Sequence, residues 1–197
     1  NHDNNTLVGW YNSLNKKQKS SLDKFLEKCK SKILDLGCGM GQYSKYMKSK
    51  GLAVVGVDFS KEMLKIAQAN NPDCLFVESD ICNLPENLDR DFDGVLIAYV
   101  IQHLSKEELK ICLTNLNNYI KESANILIFF REGNKILDEV EPFDERFTYV
   151  IKEYDSKEIT QLLNECKDYI NDNNILISMV AGFNINEIIK IVGNKKI

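Results

Sequence analysis

Short apolar runs and amphipathic stretches alternate along most of the chain. Five short runs rich in Ile, Val, Leu or Phe predict buried strands, and they lie at 33–36, 53–58, 75–77, 91–98 and 124–130. Stretches with apolar positions three and four residues apart predict helices, at 16–30, 43–50, 61–69 and 105–120. This alternation predicts a single α/β domain whose mostly parallel, doubly wound sheet has helices on both faces.

The segment after the fifth strand departs from this alternation. Residues 131–155 contain eight acidic and four basic residues, an excess of four negative charges. A solvated loop is the default interpretation of such a run. The alternative is an electronegative rim of a binding site, which would favour a cationic or amine substrate.

Both ends of the chain have recognisable patterns. Asp155 and Glu158 have the spacing of a capping box, which opens a helix predicted to end near 166 or 170. Apolar runs at 174–180 and 186–192 predict two strands joined as an antiparallel hairpin. Residues 1–15 are mostly polar, but Trp10 and Tyr11 could close over a ligand. The N-terminal segment therefore either covers one edge of the core or acts as a lid.

The composition is that of an ordinary globular domain. The 197 residues are 44% hydrophobic and 27% charged, which suffices for one sizeable core. A net charge of −4 argues against nucleic acid as the main partner, and no apolar run reaches the roughly 18 residues of a membrane helix. The six cysteines are scattered without a C-x-x-C pair. We therefore expect a reduced, cytoplasmic protein without a signal peptide, a structural zinc or another metal.

A glycine-rich bend follows the first predicted strand. Asp35 precedes glycines at alternate positions, Gly37, Gly39 and Gly41. A bend without side chains can take positive φ angles and lie directly against a ligand. Asp35 should place a carboxylate near a bound cation, and the helix that begins near Gln42 should turn its free N–H groups toward the same place. The bend is therefore the predicted centre of a binding site.

Two kinds of cofactor loop compete as interpretations of this bend. The dinucleotide fingerprint G-x-G-x-x-G needs a third glycine that packs the helix against the strand. Started at Gly37, the fingerprint needs glycine at the position of Gln42; started at Gly39, it needs glycine at the position of Ser44. The sequence has D-x-G-x-G-x-G instead, which counts against a nicotinamide dinucleotide.

The D-x-G-x-G-x-G bend resembles the cofactor loop of the class I S-adenosylmethionine-dependent methyltransferases, and the resemblance covers roughly residues 30–192. Asp58 ends the second strand 17 positions after the last glycine, close to where a βαβ unit places its ribose-binding carboxylate. The acidic-apolar pair Asp80-Ile81 is similar to the family's next motif. The fourth strand, with Phe92-Asp93 near its start and His103-Leu104 after it, is similar to the family's strand-four motif.

The resemblance implies a set of contacts with S-adenosylmethionine, whose demethylated product is S-adenosylhomocysteine. Asp58 would accept both ribose hydroxyls, Phe59 would lie on the adenine face, and Asp80 would accept the adenine amino group. The implied cofactor-binding residues are Asp35, Gly37, Cys38, Gly39, Gly41, Asp58, Phe59, Asp80, Ile81, Ala98 and Tyr99.

The resemblance also implies the strand order 3-2-1-4-5-7-6 with strand seven antiparallel. We expect one domain over residues 1–197. Its parts would be a helical cover or lid at 1–30, a cofactor-binding core at 31–130, a substrate-side insertion at 131–154, and a helix with a terminal β-hairpin at 155–197. The expected substrate-side or lid residues are Trp10, Tyr11 and Arg131.

The implied reaction is methyl transfer to a nitrogen or oxygen nucleophile of a small molecule, with no nucleic acid or membrane as partner. Such a transfer depends on in-line positioning and on the exclusion of water. A protonated amine would need a base, for which His103 and Tyr99 are the nearest candidates. Gln102 stands where many family members have a second His, which leaves the acceptor open. Two alternatives remain: a non-catalytic S-adenosylmethionine-binding module and an NAD-linked oxidoreductase.

Overall fold

The structure, a computed structural model, describes residues 14–131, 133–140, 148–155, 157–158, 161, 165 and 175–180. Within them the backbone alternates between strands and helices as the hydrophobic pattern predicts. In chain order the elements are α1 Lys16–Leu26, β1 Lys32–Leu36, α2 Gln42–Ser49, β2 Ala53–Asp58, α3 Lys61–Asn70, β3 Leu75–Glu78, β4 Phe92–Ala98, a 3₁₀ helix Ile101–His103, α4 Lys106–Leu116, β5 Ile120–Phe130, β6 Ile136–Val140, β7 Thr148–Lys152 and β8 Ile175–Val180.

The main sheet has the order β3-β2-β1-β4-β5-β8, and all its neighbouring strands pair in parallel. This confirms the predicted α/β class. The chain order reverses between β1 and β4, which are neighbours at the centre of the sheet. In open parallel sheets the crevice at such a reversal, beyond the carboxyl ends of the strands, is where ligands bind.

Alternate residues of the central strands build two separate cores, because successive side chains in a strand point to opposite faces. Leu34 and Leu36 of β1 pack in the cluster that contains the apolar stripe of α4. Ile33 packs in the other cluster, together with residues of α1 and α2. Both faces of the sheet are therefore covered by helices, as predicted.

Helix α1 confirms the predicted apolar stripe and adds a cap that the sequence analysis did not identify. Leu22, Phe25, Leu26 and Cys29 are all buried. Asn15 caps the helix, and its side chain forms a reciprocal capping box with Gln18. The helix ends at Leu26, four residues before the predicted end.

The structure corrects the interpretation of residues 131–155 as a solvated loop. Strands β6 and β7 pair as an antiparallel two-stranded sheet, in which Leu137 lies opposite Ile151. Ile151 is buried while Val150 is exposed, so one face of the hairpin packs inward. Cross-strand pairing of β6 with β7 therefore prevails over the high local charge.

The structure also corrects the predicted neighbour of β5. The strand predicted at 174–180 pairs directly with β5 and in parallel, with Asn125 opposite Ile175. The predicted order instead placed an antiparallel seventh strand beside β5. Residues 157, 158, 161 and 165, which lie between the two strands in sequence, have helical backbone, and a helical crossover is the connection that parallel neighbours need. The strand predicted at 186–192 and the predicted end of the preceding helix lie outside the described residues.

Two further predictions concern helix starts. Ser105 and Glu108 form the capping box of α4, a helix predicted to begin at 105. Asp155 accepts backbone hydrogen bonds from Lys157 and Glu158, both at 2.8 Å, which confirms it as an N-cap. Among the described residues, no helix has the length and apolar character needed to cross a membrane.

Asp93 fixes the entry of β1 into the sheet. Its carboxylate is buried and accepts backbone N–H groups of Lys30 at 2.9 Å, Ser31 at 2.8 Å and Lys32 at 3.1 Å. Three consecutive backbone N–H groups therefore donate to one carboxylate. Since buried N–H groups without partners are costly, this carboxylate stabilises the central strand.

We expect Asp93→Asn to lower the free energy of unfolding by roughly 1.5–3 kcal/mol, because an amide NH₂ would replace one acceptor of charged hydrogen bonds. Urea denaturation measures this change. Asp89→Asn is the matched control: it removes the exposed ion pair of Asp89 with Lys32 and should change stability by less than about 1 kcal/mol. Equal losses in the two variants would contradict the role given to Asp93.

Candidate functional site

The three glycines of the loop between β1 and α2 have different structural roles. All have positive φ angles: 69° at Gly37, 53° at Gly39 and 78° at Gly41. A Cβ atom at Gly37 would collide with the side chain of Val100, and one at Gly41 would lie 2.7 Å from Nδ2 of Asn71. These two glycines therefore allow the loop to pack closely against its own protein.

Gly39 is the glycine that faces open space. A Cβ atom at this position would meet nothing within 4 Å, although the loop on either side is tightly packed. The bend is therefore packed against the protein at Gly37 and Gly41, which we call its back, and open at Gly39, its front. This is the arrangement that lets a ligand approach backbone atoms closely.

The loop uses most of its own N–H groups within the protein. Gly37 and Cys38 both donate to the carbonyl of Val57, at 2.7 and 3.0 Å, and Gly41 donates to the carbonyl of Cys38 at 2.9 Å. Gly39 donates to Asp58 at 2.8 Å. The loop is thus shaped by internal hydrogen bonds before any ligand binds.

Asp58 lies at the end of β2, directly beside the loop. It is 8% exposed. Its Oδ2 accepts the N–H of Gly39, and its Oδ1 accepts the N–H of Ser60 at 2.9 Å. Each carboxylate oxygen retains a lone pair for a further donor. Ser60, and not Asp58, caps α3 through the N–H of Met63.

Asp35 is buried behind the loop, and its nearness to a bound cation stays a prediction. The side chain is fully buried, and its Oδ2 accepts a hydrogen bond of 2.6 Å from the hydroxyl of Ser44 in α2. Its Oδ1 has no hydrogen-bond partner among the described residues. Burial raises the pKa of Asp35 to about 7; the hydroxyl of Ser44 opposes this shift, and the charge of Asp58 adds to it.

Cys38 also points away from the ligand side. Its side chain is 3% exposed, and its sulfur lies where a Cβ of Gly56 would come within 2.8 Å. Burial, with the charges of Asp35 and Asp58, raises the pKa of the thiol above its ordinary value. Cys38 is therefore a packing residue whose backbone, and not its thiol, belongs to the loop.

The residues predicted for an adenine site lie near the ends of β2 and β3. Phe59 follows Asp58 and is 81% exposed, which is unusual for an aromatic ring. Asp80 is exposed, and its Oδ1 accepts the N–H of Cys82 at 2.8 Å. Ile81, which lies between Asp80 and Cys82 in the chain, is partly buried. The parallel pairing of Asp58 with Glu78 brings the ends of both strands to one edge of the sheet.

Tyr99, immediately after β4, has a strained backbone. Its φ is 60°, in the left-handed region that bulky residues rarely adopt. Its N–H donates to the carbonyl of Phe129 at 2.8 Å, and its ring stacks on that of Phe129 with centroids 6.1 Å apart. Ala98, the last residue of β4, is 8% exposed. The structure thus brings both residues to the same edge as the glycine loop.

His103 lies at the end of the 3₁₀ helix and is exposed. Its Nε2 is 3.5 Å from Nε2 of Gln102. Gln102 is 8% exposed, and its Oε1 has no hydrogen-bond partner among the described residues. The 3₁₀ helix thus brings together an imidazole and a buried amide just beyond Tyr99.

The hairpin β6–β7 is anchored beside this 3₁₀ helix. The hydroxyl of Tyr154, a residue that is 2% exposed, donates to the carbonyl of Ile101 at 3.4 Å. Arg131 pairs with Glu153 at 3.2 Å, which connects the end of β5 to the segment after β7. The predicted lid residues Trp10 and Tyr11 lie outside the described residues. In the described part of the chain, no group of three or more His, Cys, Asp or Glu could hold a metal ion.

Comparison with known proteins identifies the architecture of this site. The sequence model of a family described as "Methyltransferase domain" matches residues 33–123, the span that contains the glycine loop, Asp58 and β4. An uncharacterised methyltransferase of Alkaliphilus oremlandii is 27% identical over 88% of this chain and 78% of its own length. In sequence the chain is therefore similar to the class I S-adenosylmethionine-dependent methyltransferases.

Two further comparisons show how far the similarity to methyltransferases extends. A demethylmenaquinone methyltransferase of Thermotoga maritima is 30% identical over 66% of this chain and 53% of its own length, so the chain spans about half of that relative. A solved S-adenosylmethionine-dependent methyltransferase from Clostridium acetobutylicum superposes with a TM-score of 0.63 at 19% identity, covering 82% of this chain and 86% of the other. This likeness shows the shared fold.

The residues of the site fit the cofactor of this family, S-adenosylmethionine. The missing Cβ of Gly39 leaves open space for a ligand against the loop. Both oxygens of Asp58 are fixed by backbone N–H groups and still have acceptor capacity for the two hydroxyls of a ribose. The exposed ring of Phe59 next to them offers a flat apolar surface for a purine.

Sequence reasoning missed several residues that shape the site. Asn71, the residue after α3, donates to the carbonyl of Gly41 at 3.3 Å and so supports the loop. Gln18 donates to the hydroxyls of Tyr43 at 2.9 Å and Tyr99 at 3.1 Å. The capping-box spacing of Asn15 and Gln18 was a signal available in the sequence. No local pattern points to Asn71.

We expect the stability of the protein to depend on the ionisation of Asp35. Between about pH 4 and pH 7 the native carboxyl keeps a proton that the unfolded chain, with a pKa near 3.8, has released. The free energy of unfolding should therefore fall as the pH rises through this window, by an amount on the order of a few kcal/mol. Urea denaturation of the wild type and of Asp35→Asn at pH 4.5 and 7.5 measures it. Relative to the wild type, Asp35→Asn should have a higher free energy of unfolding at pH 7.5 than at pH 4.5. A difference that does not change with pH would contradict the raised pKa of Asp35.

We expect Asp58→Ala to weaken the binding of S-adenosylhomocysteine by about 1.5–3 kcal/mol, because charged hydrogen bonds to the ribose would be lost. The structure adds a moderate loss of stability, since the N–H groups of Gly39 and Ser60 lose their acceptor. Calorimetric titration and thermal denaturation measure the two effects. Ser60→Ala, which removes only the cap of α3, should lower stability and leave the affinity unchanged; an unchanged affinity of Asp58→Ala would exclude the ribose contact.

Proposed function

We propose that the chain transfers the methyl group of S-adenosylmethionine to a nitrogen or oxygen nucleophile of a small molecule. The observation that carries this proposal is the loop at Gly39, which is open in front and fixed from behind by Asp58. The acceptor would bind beyond the carboxyl ends of β4 and β5, on the far side of the loop from Phe59.

The proposed cofactor contacts follow the order of the strands. Phe59, Asp80 and the backbone of Ile81 would hold the adenine near β3, and Asp58 would hold the ribose at the end of β2. The backbone of Gly37, Cys38, Gly39 and Gly41 would lie along the middle of the cofactor, with Asp35 supporting this loop through Ser44. Since β4 is the next strand in the sheet, Ala98 and Tyr99 would border the methionine part.

The protein's contribution to the reaction would be positioning and the exclusion of water. When bound, S-adenosylmethionine supplies a methyl group that is already activated by the adjacent sulfonium charge. The chain would hold the acceptor atom in line with this methyl group in a dry chamber. This role requires no catalytic metal or dyad.

His103 and Tyr99 are the proposed groups for proton removal from a protonated acceptor. Both follow β4 directly, and His103 is exposed at the end of the 3₁₀ helix. An imidazole is suited to accept a proton near neutral pH. The acceptor atom would therefore lie between the loop and this helix.

The proposed chamber is closed by two segments from outside the central sheet. The hairpin β6–β7 supports one wall, because Tyr154 anchors the segment after β7 to the 3₁₀ helix and Arg131 with Glu153 joins it to β5. The N-terminal segment, with Trp10 and Tyr11, would supply the other. The negative charge of residues 131–155 supports a cationic or amine acceptor.

Two observations support the proposed setting. A relative named demethylmenaquinone methyltransferase supports a small-molecule acceptor. The five cysteines in the described part of the chain are free thiols, which supports a reduced, cytoplasmic environment. A non-catalytic S-adenosylmethionine-binding module remains the alternative to test. The NAD-linked alternative loses its support, because the matching family and the relatives are methyltransferases.

We expect calorimetric titration to show binding of S-adenosylhomocysteine and no comparable binding of NAD. The purified protein should then transfer labelled methyl groups from S-adenosylmethionine to members of a panel of small amines, phenols, quinols and carboxylic acids. His103→Gln should lower the turnover of an amine acceptor at least tenfold and leave S-adenosylhomocysteine binding within twofold. Comparable binding of NAD would overturn the cofactor assignment, and cofactor binding without transfer to any acceptor would favour the binding module.

A further inference from the structure

Gln18 lies in the first turn of α1 and uses all polar atoms of its side-chain amide. Its Oε1 accepts the backbone N–H of Asn15 at 2.8 Å, as part of the capping box. Its Nε2 donates to the hydroxyl oxygen of Tyr43 at 2.9 Å and to that of Tyr99 at 3.1 Å. One side chain therefore connects the start of α1, the first turn of α2 and the end of β4.

The capping box fixes the orientation of this amide. Rotating the amide by 180° would turn its NH₂ group toward the N–H of Asn15 and place two donors against each other. The NH₂ group must therefore face the two tyrosines, and both phenol oxygens must accept. Each phenol keeps one O–H proton, which has to point away from Gln18.

Tyr99 is held in this position at a cost in backbone energy. A left-handed backbone is unfavourable for a bulky residue, and such strain is concentrated at functional sites. The N–H of Tyr99 is bound by the carbonyl of Phe129, its ring by the ring of Phe129, and its oxygen by Gln18. Three separate contacts thus define where this hydroxyl lies, and the donor of Gln18 excludes one direction for its proton.

We propose that Gln18 is a positioning residue, which directs the O–H of Tyr99 toward the carboxylate of the cofactor's amino-acid part. This inference rests on the proposed function. With adenine near β3 and ribose at β2, the amino-acid part extends toward β4 and Tyr99. A carboxylate accepts hydrogen bonds more strongly than neutral oxygens do. Tyr99 is then a hydrogen-bond donor to the cofactor, which leaves His103 as the candidate base.

Gln18→Glu is a selective test, because Glu is an equally good partner in a capping box. A structural role of Gln18 alone therefore predicts no loss. The second carboxylate oxygen of the variant, however, would accept hydrogen bonds from Tyr43 and Tyr99 and draw the proton of Tyr99 away from the ligand. The variant, titrated at pH 8, should bind S-adenosylhomocysteine about ten- to a hundredfold more weakly.

Further measurements separate an effect on the hydroxyl of Tyr99 from other causes of weaker binding. 5′-Methylthioadenosine, which lacks the amino-acid part, should bind wild type and Gln18→Glu with affinities within twofold. In a Tyr99→Phe background, Gln18→Glu should cause no further loss for S-adenosylhomocysteine, whereas simple repulsion by the new charge would act in both backgrounds. Tyr43→Phe, which deletes the other hydroxyl on the same amide, should leave the affinity within twofold. Unchanged melting temperatures confirm that each variant is folded.

The outcomes distinguish this inference from the proposed function. If the wild type fails to bind S-adenosylhomocysteine, the proposed function itself is wrong. If the wild type binds and Gln18→Glu binds equally well, or loses both ligands equally, the inference is overturned and the proposed function stands. An unchanged affinity together with lost methyl transfer would assign the hydroxyl to the acceptor, and would also overturn the inference.

Discussion

The site depends on the carboxylate of Asp58. A left-handed glycine bend is entropically unfavourable, because glycine has more conformations to lose than any other residue. Asp58 offsets this cost by accepting the N–H of Gly39, while its other oxygen fixes Ser60 at the start of α3. The same group thus defines the loop, the end of β2 and the following helix. A ligand that meets this carboxylate meets a surface whose shape already exists, so little ordering remains to oppose binding.

Other residues reinforce the loop from outside. Asn71, the residue after α3, holds the carbonyl of Gly41, Val100 fills the space beside Gly37, and Asp35 with Ser44 ties β1 to α2. The buried charge of Asp35 is destabilising when ionised, as its raised pKa shows. The protein therefore retains a costly group at the centre of its sheet, which is typical of a segment whose geometry matters more than its stability.

The first five strands of the main sheet and the position of the binding loop could be predicted from sequence, because short apolar runs and glycine spacing are local signals. The direction of the Asp35 side chain could not, since the same residue at the end of a strand can face the ligand or the helix behind it. The hairpin β6–β7 was obscured by charge, although Leu137 and Ile151 lie opposite each other. The contact of Gln18 with Tyr99 joins residues 81 positions apart, and no local pattern encodes such a pair.

The cysteines described above have a practical consequence for handling the protein. Burial raises the pKa of Cys29 and of Cys112 to about 12, and that of the partly exposed Cys82 to about 11. Since only thiolates react with alkylating agents and disulfides, these three thiols are chemically quiet at neutral pH. A thiol-specific label introduced at an engineered surface cysteine would therefore meet little competition from them. Cys29, Cys82 and Cys112 can therefore keep their native side chains in such an experiment.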